Sequence, residues 1–344
     1  MNLLAVIGIA LGEVAILLDW GSRLFGAYVR GLWSTAWRMV ALAVAVLVPL
    51  AALFFAAVPP DREIERWFLA GCGVIGAILF LHYLLPYRRG IERLAGSFFA
   101  SEQRPCGEKS VLREWKVPLP GLPAVLEGAE LLVLADMHCN SRRRLGQIEA
   151  CVDELQGRVF DCVLFLGDFG EKEALLPELV DCLAKLKARG GAFCVRGNHD
   201  LEGSRPERLP ELLEGAGIEL LSNEFRVLDD PPLTVLGVEL PFVRRSLPDL
   251  RSGDFVLAVS HTPDNLPRLS RLGVDLVLAG HTHGGALRLP LLGEMLVPTR
   301  HGRFLKEGFY RKRGTLMHVT PGFGYRSPGE VTVLRLCRGE VAHG

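Results

Sequence analysis

Five short apolar segments in the second half of this chain each end directly before residues of the types that bind divalent metal ions. The segments are 131–135, 162–166, 193–196, 255–260 and 276–279. The residues that follow them are Asp136-Met137-His138, Gly167-Asp168, Gly197-Asn198-His199-Asp200, His261 and Gly280-His281-Thr282-His283. In an open α/β sheet, the carboxyl ends of the strands form the crevice in which ligands bind. We therefore predict that these residues converge, although they are far apart in the sequence.

The segments between these strands have helical spacing. Leucine and other apolar residues recur every three or four positions over 145–155 and again over 175–186. A βαβαβ order indicates parallel strands with helices packed on them. After residue 231 the apolar runs 233–238, 255–259, 276–279, 316–319 and 331–336 are strand-like, with little helix between them. The predicted fold class is therefore α/β, with two packed mixed β-sheets flanked by helices.

The first hundred residues have a different hydrophobic pattern. Residues 39–58 and 67–87 contain no Asp, Glu, Lys or Arg, and each run is near the ~20 residues that a helix needs to span a bilayer. A third run, 3–18, is shorter and carries Glu13, so it is a span, a re-entrant helix or an interfacial helix. We predict an α-helical transmembrane region of two or three helices over 1–100, a linker over 101–115 and a second domain over 116–344.

The distribution of charged residues predicts how the chain is oriented in the membrane. It also predicts which class of partner the chain does not bind. Arginines lie between the runs 3–18 and 39–58 and again after the run 67–87, which places both segments and the second domain on the cytoplasmic side. These arginines are Arg23, Arg30, Arg38, Arg88, Arg89 and Arg93. Acidic and basic residues balance at 39 each, so we do not expect nucleic acid as a partner. The eight cysteines form no CxxC pair and fit a reducing compartment.

Each strand-end motif taken alone has an ordinary structural explanation. Asp136-x-His138 is typical of a turn or a helix N-cap, Gly167-Asp168 of a turn, and His261 of a hydrogen-bonded structural histidine. Two imidazoles one residue apart on extended backbone, as at 281 and 283, point the same way. Taken together, carboxylates, an amide oxygen and imidazoles without thiolate favour Mn, Fe, Zn or a similar ion over a structural zinc site of cysteines.

In this order the motifs resemble those of the calcineurin-like metallophosphoesterase superfamily, over residues 131–336. The stretch from Gly284-Gly285 to Tyr310 is similar to a bacterial branch whose members often carry an N-terminal membrane anchor. Together with the apolar runs and the arginines, this resemblance predicts a multi-pass protein of the cell inner membrane with its catalytic domain in the cytoplasm. One departure is visible, because many members have Gly-Asp-x-x-Asp and this chain has Glu171 at the last position. Any role of that second Asp is therefore open.

The resemblance also implies a site with two divalent metal ions, for which Mn is expected and Fe, Zn or Mg are possible. Asp136, His138, Asp168 and His283 would hold one ion, and Asp168, Asn198, His261 and His281 the other. Two ions about 3.5–4 Å apart lower the pKa of a bridging water, and the resulting hydroxide attacks phosphorus. His199 would face the leaving oxygen as proton donor or charge stabiliser, and Asp200 would orient it.

Several functions remain open at this point. The leading one is hydrolysis of a phosphoester or pyrophosphate, with a phosphorylated small molecule or a lipid-linked compound such as UDP-2,3-diacylglucosamine as substrate. In the second case, residues 203–241 and 287–309 would line an apolar access path beside the metals. The alternatives are a general phosphodiesterase for soluble substrates, a catalytically silent metal-binding scaffold, and a membrane metal sensor or transporter. Polar residues in the apolar runs are isolated, which argues against the sensor or transporter.

Overall fold

The computed structural model describes residues 10, 90–95, 99, 101–107, 109–202, 206–239, 247, 254–285, 287–289, 293–324 and 328–339. The predicted transmembrane segments at 39–58 and 67–87, and the run 3–18 apart from residue 10, lie outside this part of the chain. Within the described ranges, no helix is both long enough and apolar enough to cross a bilayer.

The chain divides into two compact units. The larger unit consists of Arg89–Ala286 and Leu305–Gly344, and it contains every predicted site residue. The smaller unit consists of Met1–Arg88 and Leu287–Phe304. In its described part, Leu287–Leu289 and Gly293–Leu296 form a two-stranded antiparallel sheet.

The described strands are numbered here in chain order. They are β1 (Glu92–Arg93), β2 (Ser101–Pro105), β3 (Ser110–Leu119), β4 (Glu130–Leu134), β5 (Val159–Phe160), β6 (Cys162–Phe165), β7 (Lys187–Ala188), β8 (Ala192–Cys194), β9 (Ile218–Leu220), β10 (Phe225–Val227), β11 (Thr234–Val238), β12 (Val256–Ser260), β13 (Leu276–Ala279), β14 (Leu287–Leu289), β15 (Gly293–Leu296), β16 (Gly308–Lys312), β17 (Thr315–Val319) and β18 (Gly329–Arg338).

Two seven-stranded mixed sheets form the larger unit. The first sheet has the order β1-β16-β17-β13-β12-β11-β10, and its strands β11, β12, β13 and β17 are parallel. The second sheet has the order β2-β3-β18-β4-β6-β8-β9, and its strands β4, β6, β8 and β9 are parallel. Each parallel group continues into antiparallel strands. This arrangement confirms the predicted α/β fold with mixed sheets.

The described helices are α1 (Arg142–Leu155), α2 (Leu176–Leu183), α3 (Asn198–Glu202), α4 (Arg208–Gly215) and α5 (Leu266–Leu269). Short 3-10 segments cover Ala124–Leu126, Glu173–Leu175, Pro263–Asn265 and Gly302–Leu305. Helix α1 begins after Ser141, whose hydroxyl accepts a hydrogen bond from the Arg144 backbone N–H. Such a cap satisfies an N–H that has no partner within the helix.

Burial on both faces explains why the sequence of strand β4 is continuously apolar. Leu131 and Val133 belong to the hydrophobic cluster that contains residues of both sheets. Leu132 and Leu134 point the other way, into a second cluster with apolar residues of α1, α2 and α4. A strand that is buried on both faces has no position for a polar side chain. The site residues therefore begin only where the strand ends.

Residues 101–115, predicted as a linker, contain strand in the structure. Residues Ser101–Pro105 form β2 and pair antiparallel with β3, which runs in parallel beside β18. All five residues of β2 are exposed, so this edge strand has no hydrophobic alternation that would reveal it in the sequence. Strand β2 is ordered because its backbone pairs with β3. The strand β16 (Gly308–Lys312) was also missed, whereas the predicted strands at 131–135, 162–166 and 276–279 lie within one residue of the observed bounds.

Candidate metal centre

The predicted site residues follow the carboxyl ends of five parallel strands. Strands β4, β6 and β8 of the second sheet lead into Asp136, Asp168 and Asn198. Strands β12 and β13 of the first sheet lead into His261 and His281. Both sheets thus deliver polar side chains to one place, and the side chains of Asp136, Asp168 and His261 are at most 1% exposed.

Three groups of these side chains have ligand atoms within 4.8 Å of one another. The groups are Asp136, His138 and His283; His138, Asp168 and His199; and Asp168, His261 and His281. Asp168 and His138 each belong to two groups, so the three form one continuous cluster. The structure therefore brings together all the predicted histidines and aspartates of the metal site.

Asp168 lies at the centre of this cluster. Its Oδ2 is 3.6 Å from Nε2 of His138 and 3.4 Å from Nε2 of His261. Its Oδ1 instead accepts a hydrogen bond of 2.9 Å from the backbone N–H of His199. One carboxylate oxygen is thus held by the backbone, and the other faces histidines on both sides.

The three remaining predicted ligands meet at His261. Its Nε2 lies 3.1 Å from Oδ1 of Asn198 and 3.0 Å from Nδ1 of His281. Its Nδ1 donates a hydrogen bond of 2.7 Å to the carbonyl oxygen of Leu166. Because Nδ1 carries the proton of this bond, Nε2 has its lone pair directed to the cluster when the ring is neutral. Metal-binding histidines usually have such a carbonyl or carboxylate partner on the other nitrogen.

The backbone at the site adopts a conformation that is uncommon for these residues. The φ angles are 53° at Asp136, 41° at His138, 55° at Asp168, 71° at His281 and 52° at His283. A positive φ is uncommon for residues other than glycine, and its cost persists only where the surrounding structure enforces it. Five such residues in one cluster indicate that the backbone is bent to aim their side chains inward.

Glycines beside these residues allow the close approach of the backbone. A Cβ on Gly197 would lie 2.0 Å from Oδ1 of Asp168, and a Cβ on Gly280 would lie 2.8 Å from Oδ2 of Asp136. Real Cβ atoms essentially never come this close to another heavy atom. The glycines of the predicted motifs therefore provide the space for the two carboxylates.

Burial and charge set the protonation of the cluster. Burial raises the pKa of Asp136 to about 8. Burial also acts to raise the pKa of Asp168, but His261 and His138 outweigh it and hold that pKa well below its usual range. Burial lowers the pKa of His281 well below its usual value, and lowers the pKa of His283 to about 3. Both imidazoles are therefore neutral, the form that binds metal ions.

Glu171 is a site residue that the sequence motifs did not identify. Its Oε1 accepts a hydrogen bond of 3.0 Å from Nδ1 of His138, and it also lies 3.8 Å from Nδ1 of His199. Its Oε2 is 3.5 Å from Nδ2 of Asn140. The position of Glu171 three residues after Asp168 was noted only as a departure from the superfamily pattern. In the structure this carboxylate accepts a hydrogen bond from Nδ1 of His138 and so orients the imidazole ring.

The hydrogen bonds of Asp200 differ from the prediction that it orients His199. Its carboxylate accepts from the backbone N–H groups of Asp168, Phe169 and Gly197, at 2.7, 2.9 and 2.8 Å. This buried carboxylate therefore fastens two strand-end loops to each other. The physical reason is its place in the first turn of α3, where it faces backbone N–H groups of its own loop and of the loop after β6 rather than the side chain of His199.

The chemistry of the cluster fits divalent metal ions. Among the described residues, Asp136 Oδ1 and Asp168 Oδ2 are buried without a hydrogen-bond partner. Unsatisfied buried carboxylate oxygens are costly, and a bound cation would remove that cost. Imidazoles, carboxylates and one amide oxygen, without thiolate, form a donor set that suits Mn, Fe or Zn.

Comparisons with known proteins find similar phosphoesterases. The calcineurin-like phosphoesterase family matches residues 129–285. The chain is 25% identical to the uncharacterized metallophosphoesterase YkuE of Bacillus subtilis, over 62% of this chain and 81% of that protein. It is 29% identical to the phosphodiesterase YaeI of Escherichia coli, over 51% of this chain and 68% of that protein.

A further relative is a transmembrane protein with metallophosphoesterase domain from Danio rerio, which is 29% identical over 61% of this chain. That match spans 52% of the length of the relative. A solved structure of a phosphopantetheinyl hydrolase from Mycobacterium tuberculosis is 14% identical to this chain, with a TM-score of 0.38. The superposition covers 58% of this chain and 91% of that chain. The family match over residues 129–285 and the curated relatives agree with the motifs, and they support a phosphoester hydrolase.

Proposed function

We propose that this chain hydrolyses a phosphoester or phosphoric anhydride bond with two divalent metal ions held around Asp168. The observation that carries the proposal is the position of Asp168 Oδ2, which is buried between His138 and His261. An anionic oxygen with imidazoles on both sides is suited to bridge two cations. Manganese is the metal that we propose to test first.

The ligand sets follow from the groups of neighbouring side chains. Asp136, His138 and His283 form one group of neighbouring ligand atoms and would hold one ion with Asp168. His261 and His281 form another group with Asp168, and with Asn198, 3.1 Å from His261, they would hold the second ion. When bound, two such ions supply a hydroxide nucleophile near neutral pH and neutralise charge on the phosphoryl oxygens.

His199 differs from the proposed ligands in its surroundings. Its side chain is 36% exposed, whereas that of His138 is 1% exposed. Its ring packs edge-on against the ring of His138, with 4.8 Å between the centroids. An imidazole at the open side of the cluster, near the carboxylate of Glu171, is placed to donate a proton to the leaving oxygen. Its ligand atom is also within reach of a metal, so the two roles require a direct test.

The test uses the purified full-length chain, Mn²⁺ and bis(p-nitrophenyl) phosphate. We expect hydrolysis that EDTA abolishes and that Mn²⁺ restores. Asp168→Asn removes bridging charge, so it should lower both the metal content and the rate. His199→Ala should keep the metal and lose rate, with the greatest loss on esters with poor leaving groups.

Two outcomes would contradict parts of this proposal. A metal-loaded chain that hydrolyses none of a panel of phosphoesters and diphosphates would favour the catalytically silent scaffold. Loss of metal from His199→Ala would make this residue a ligand and leave the proton donor unassigned.

We further propose that the membrane region predicted over 1–100 anchors the enzyme in the cell inner membrane with the catalytic domain in the cytoplasm. Support comes from the two uncharged apolar runs and from relatives in Danio rerio and Bos taurus that are named transmembrane proteins. A periplasmic-type phosphatase reporter fused after residue 344 should be inactive in a bacterial host. Strong reporter activity, or a full-length chain that alkaline carbonate releases from membranes, would contradict this topology.

An anchored enzyme is suited to a substrate held at the bilayer by acyl chains, such as UDP-2,3-diacylglucosamine, and we propose this class as the natural substrate. In mixed micelles, the full-length chain should turn over a lipid-linked diphosphate faster than its deacylated analogue. Deletion of residues 1–88, which leaves β1 in place, should remove this preference. Equal rates on both compounds in the full-length chain would favour a general phosphodiesterase for soluble substrates.

A further inference from the structure

The segment 320–324 lies beside Asp136 and His283 of the metal cluster. It follows β17, which runs parallel to β13, so it is a further strand-end segment next to those that carry the predicted site residues. Its sequence is Thr-Pro-Gly-Phe-Gly, without an acidic residue, a histidine or a cysteine. The segment therefore offers no side chain of the usual ligand types, and it acts on the site through its backbone.

Two glycines bring this segment close to the proposed ligands. A Cβ on Gly322 would lie 2.5 Å from the carbonyl oxygen of Ala135 and 3.0 Å from Oδ2 of Asp136. A Cβ on Gly324 would lie 2.9 Å from Cβ of His283 and 3.0 Å from Nδ1 of the same residue. The backbone of the segment is thus packed directly against two of the residues that would hold one ion.

The backbone angles of Asp136 and His283 need support from their surroundings. Their φ angles of 53° and 52° are uncommon for residues other than glycine, and such strain persists only where neighbouring structure enforces it. The N–H of Phe323 donates a hydrogen bond of 3.0 Å to the carbonyl oxygen of Ala135, the residue before Asp136. Gly324 packs on His283. A shift of the segment would therefore let both ligands relax away from the cluster.

Arg144 of α1 fixes the end of this segment. Its Nη1 donates a hydrogen bond of 2.9 Å to the carbonyl oxygen of Phe323, and its Nη2 donates one of 3.0 Å to the carbonyl oxygen of Gly324. Two hydrogen bonds from one planar guanidinium to successive carbonyls restrict direction as well as distance. Because α1 follows the loop that carries Asp136, Arg144 joins that loop and the segment 320–324 to each other.

We propose that Arg144 is a positioning residue of the metal centre, which keeps Asp136 and His283 directed at one of the two ions through the segment 320–324. The inference rests on the proposed binding of two divalent ions. Without the guanidinium, the end of the segment is released, and Asp136 and His283 lose the contacts that hold their strained backbone. The ion at these two residues then binds more weakly, whereas the ion at His261 and His281 keeps its ligands.

The first experiment titrates the full-length chain, stripped of metal with EDTA, with Mn²⁺ and follows the electron paramagnetic resonance signal of the free ion. Arg144→Met keeps helix propensity but removes the donors. We expect two bound ions, one of which this variant weakens by about tenfold while the other changes by less than about twofold. The matched control Arg143→Met alters an exposed arginine of the same turn and should leave both ions unchanged. Unchanged binding in Arg144→Met, equal weakening of both ions, or the same loss in the control overturns the proposal.

The second experiment needs neither metal nor catalysis. Hydrogen–deuterium exchange of the metal-free chain reports on the segment, because the amides of Thr320 and Phe323 donate to the carbonyl oxygens of Ala279 and Ala135. In Arg144→Met these two amides should exchange about tenfold faster, while the amides of strand β6 keep their rates. Faster exchange in both places would indicate a general loss of stability, and no change in either would mean that the segment holds its position without Arg144. Each of these results overturns the proposal.

These measurements separate the role of Arg144 from the proposed hydrolysis. If the Mn²⁺-loaded chain hydrolyses no phosphoester but Arg144→Met weakens one ion and speeds exchange of the segment, the hydrolysis fails and the positioning role stands. If hydrolysis occurs and Arg144→Met binds both ions as the unaltered chain does, the hydrolysis stands and the positioning role fails. A full-length chain that binds no Mn²⁺ contradicts both.

Discussion

The substitution Gly197→Ala tests whether the contact between two strand-end loops shapes the metal centre. The backbone of Gly197 passes so close to Asp168 that an added Cβ would lie 2.0 Å from Oδ1 and 2.6 Å from both Cγ and the backbone nitrogen of that residue. Gly197 is not among the described residues with a positive φ. Alanine is therefore compatible with its backbone angle, and the effect of the substitution is steric.

The size of the effect follows from these distances. Oδ1 would have to retreat by roughly 1 Å or more to reach an ordinary contact distance, and the backbone nitrogen of Asp168 cannot rotate away as a side chain can. Overpacking of this kind typically costs ~1–3 kcal/mol of stability. A displacement of ~1 Å in a catalytic group can lower the rate by about a hundredfold. We expect both losses, together with weaker metal binding.

The assay combines urea unfolding, Mn²⁺ titration and hydrolysis of bis(p-nitrophenyl) phosphate. Gly146→Ala is the matched control, because it adds the same methyl group inside α1 where no heavy atom beyond the adjacent residues and the helix's own backbone lies within 4 Å. It should raise stability by up to ~1 kcal/mol through helix propensity and leave metal binding unchanged. If Gly197→Ala keeps the metal affinity and the rate of the unaltered chain, the steric reasoning is refuted.

Three further substitutions test the surroundings of the site. Glu171→Gln keeps the shape of the side chain that contacts Nδ1 of His138 but removes its negative charge, so Mn²⁺ affinity should fall by about tenfold. An unchanged affinity would contradict the orienting role of Glu171. Asp200→Asn places an amide group against backbone N–H donors, and urea unfolding should show a loss of ~1–3 kcal/mol. Arg196→Ala leaves the 3% exposed carboxylate of Glu239 without its cation, so stability should fall by about 3 kcal/mol; a neutral result would mean that Glu239 becomes solvated.

The sequence determined the parts of this protein that depend on local pattern. Helix α1 was readable because apolar residues recur at helical spacing on the face that packs against the second sheet. Strands such as β4 and β13 were readable because they are buried on both faces and so carry unbroken apolar runs. The abrupt change from these runs to Asp and His also predicted the side chains that the structure brings together in the candidate metal cluster.

Tertiary structure decided the features whose partners are distant in the chain. The exposed strand β2 has no pattern of its own and exists through its pairing with β3. Glu171 has a role only because the loop after β6 brings it beside His138 and His199. Asp200 faces backbone amides rather than the imidazole beside it in the sequence, since the fold places the loop of Asp168 against α3. Hydrophobic periodicity is a local property, whereas the partner of a carboxylate or of an edge strand is set by which segments the packed sheets bring together.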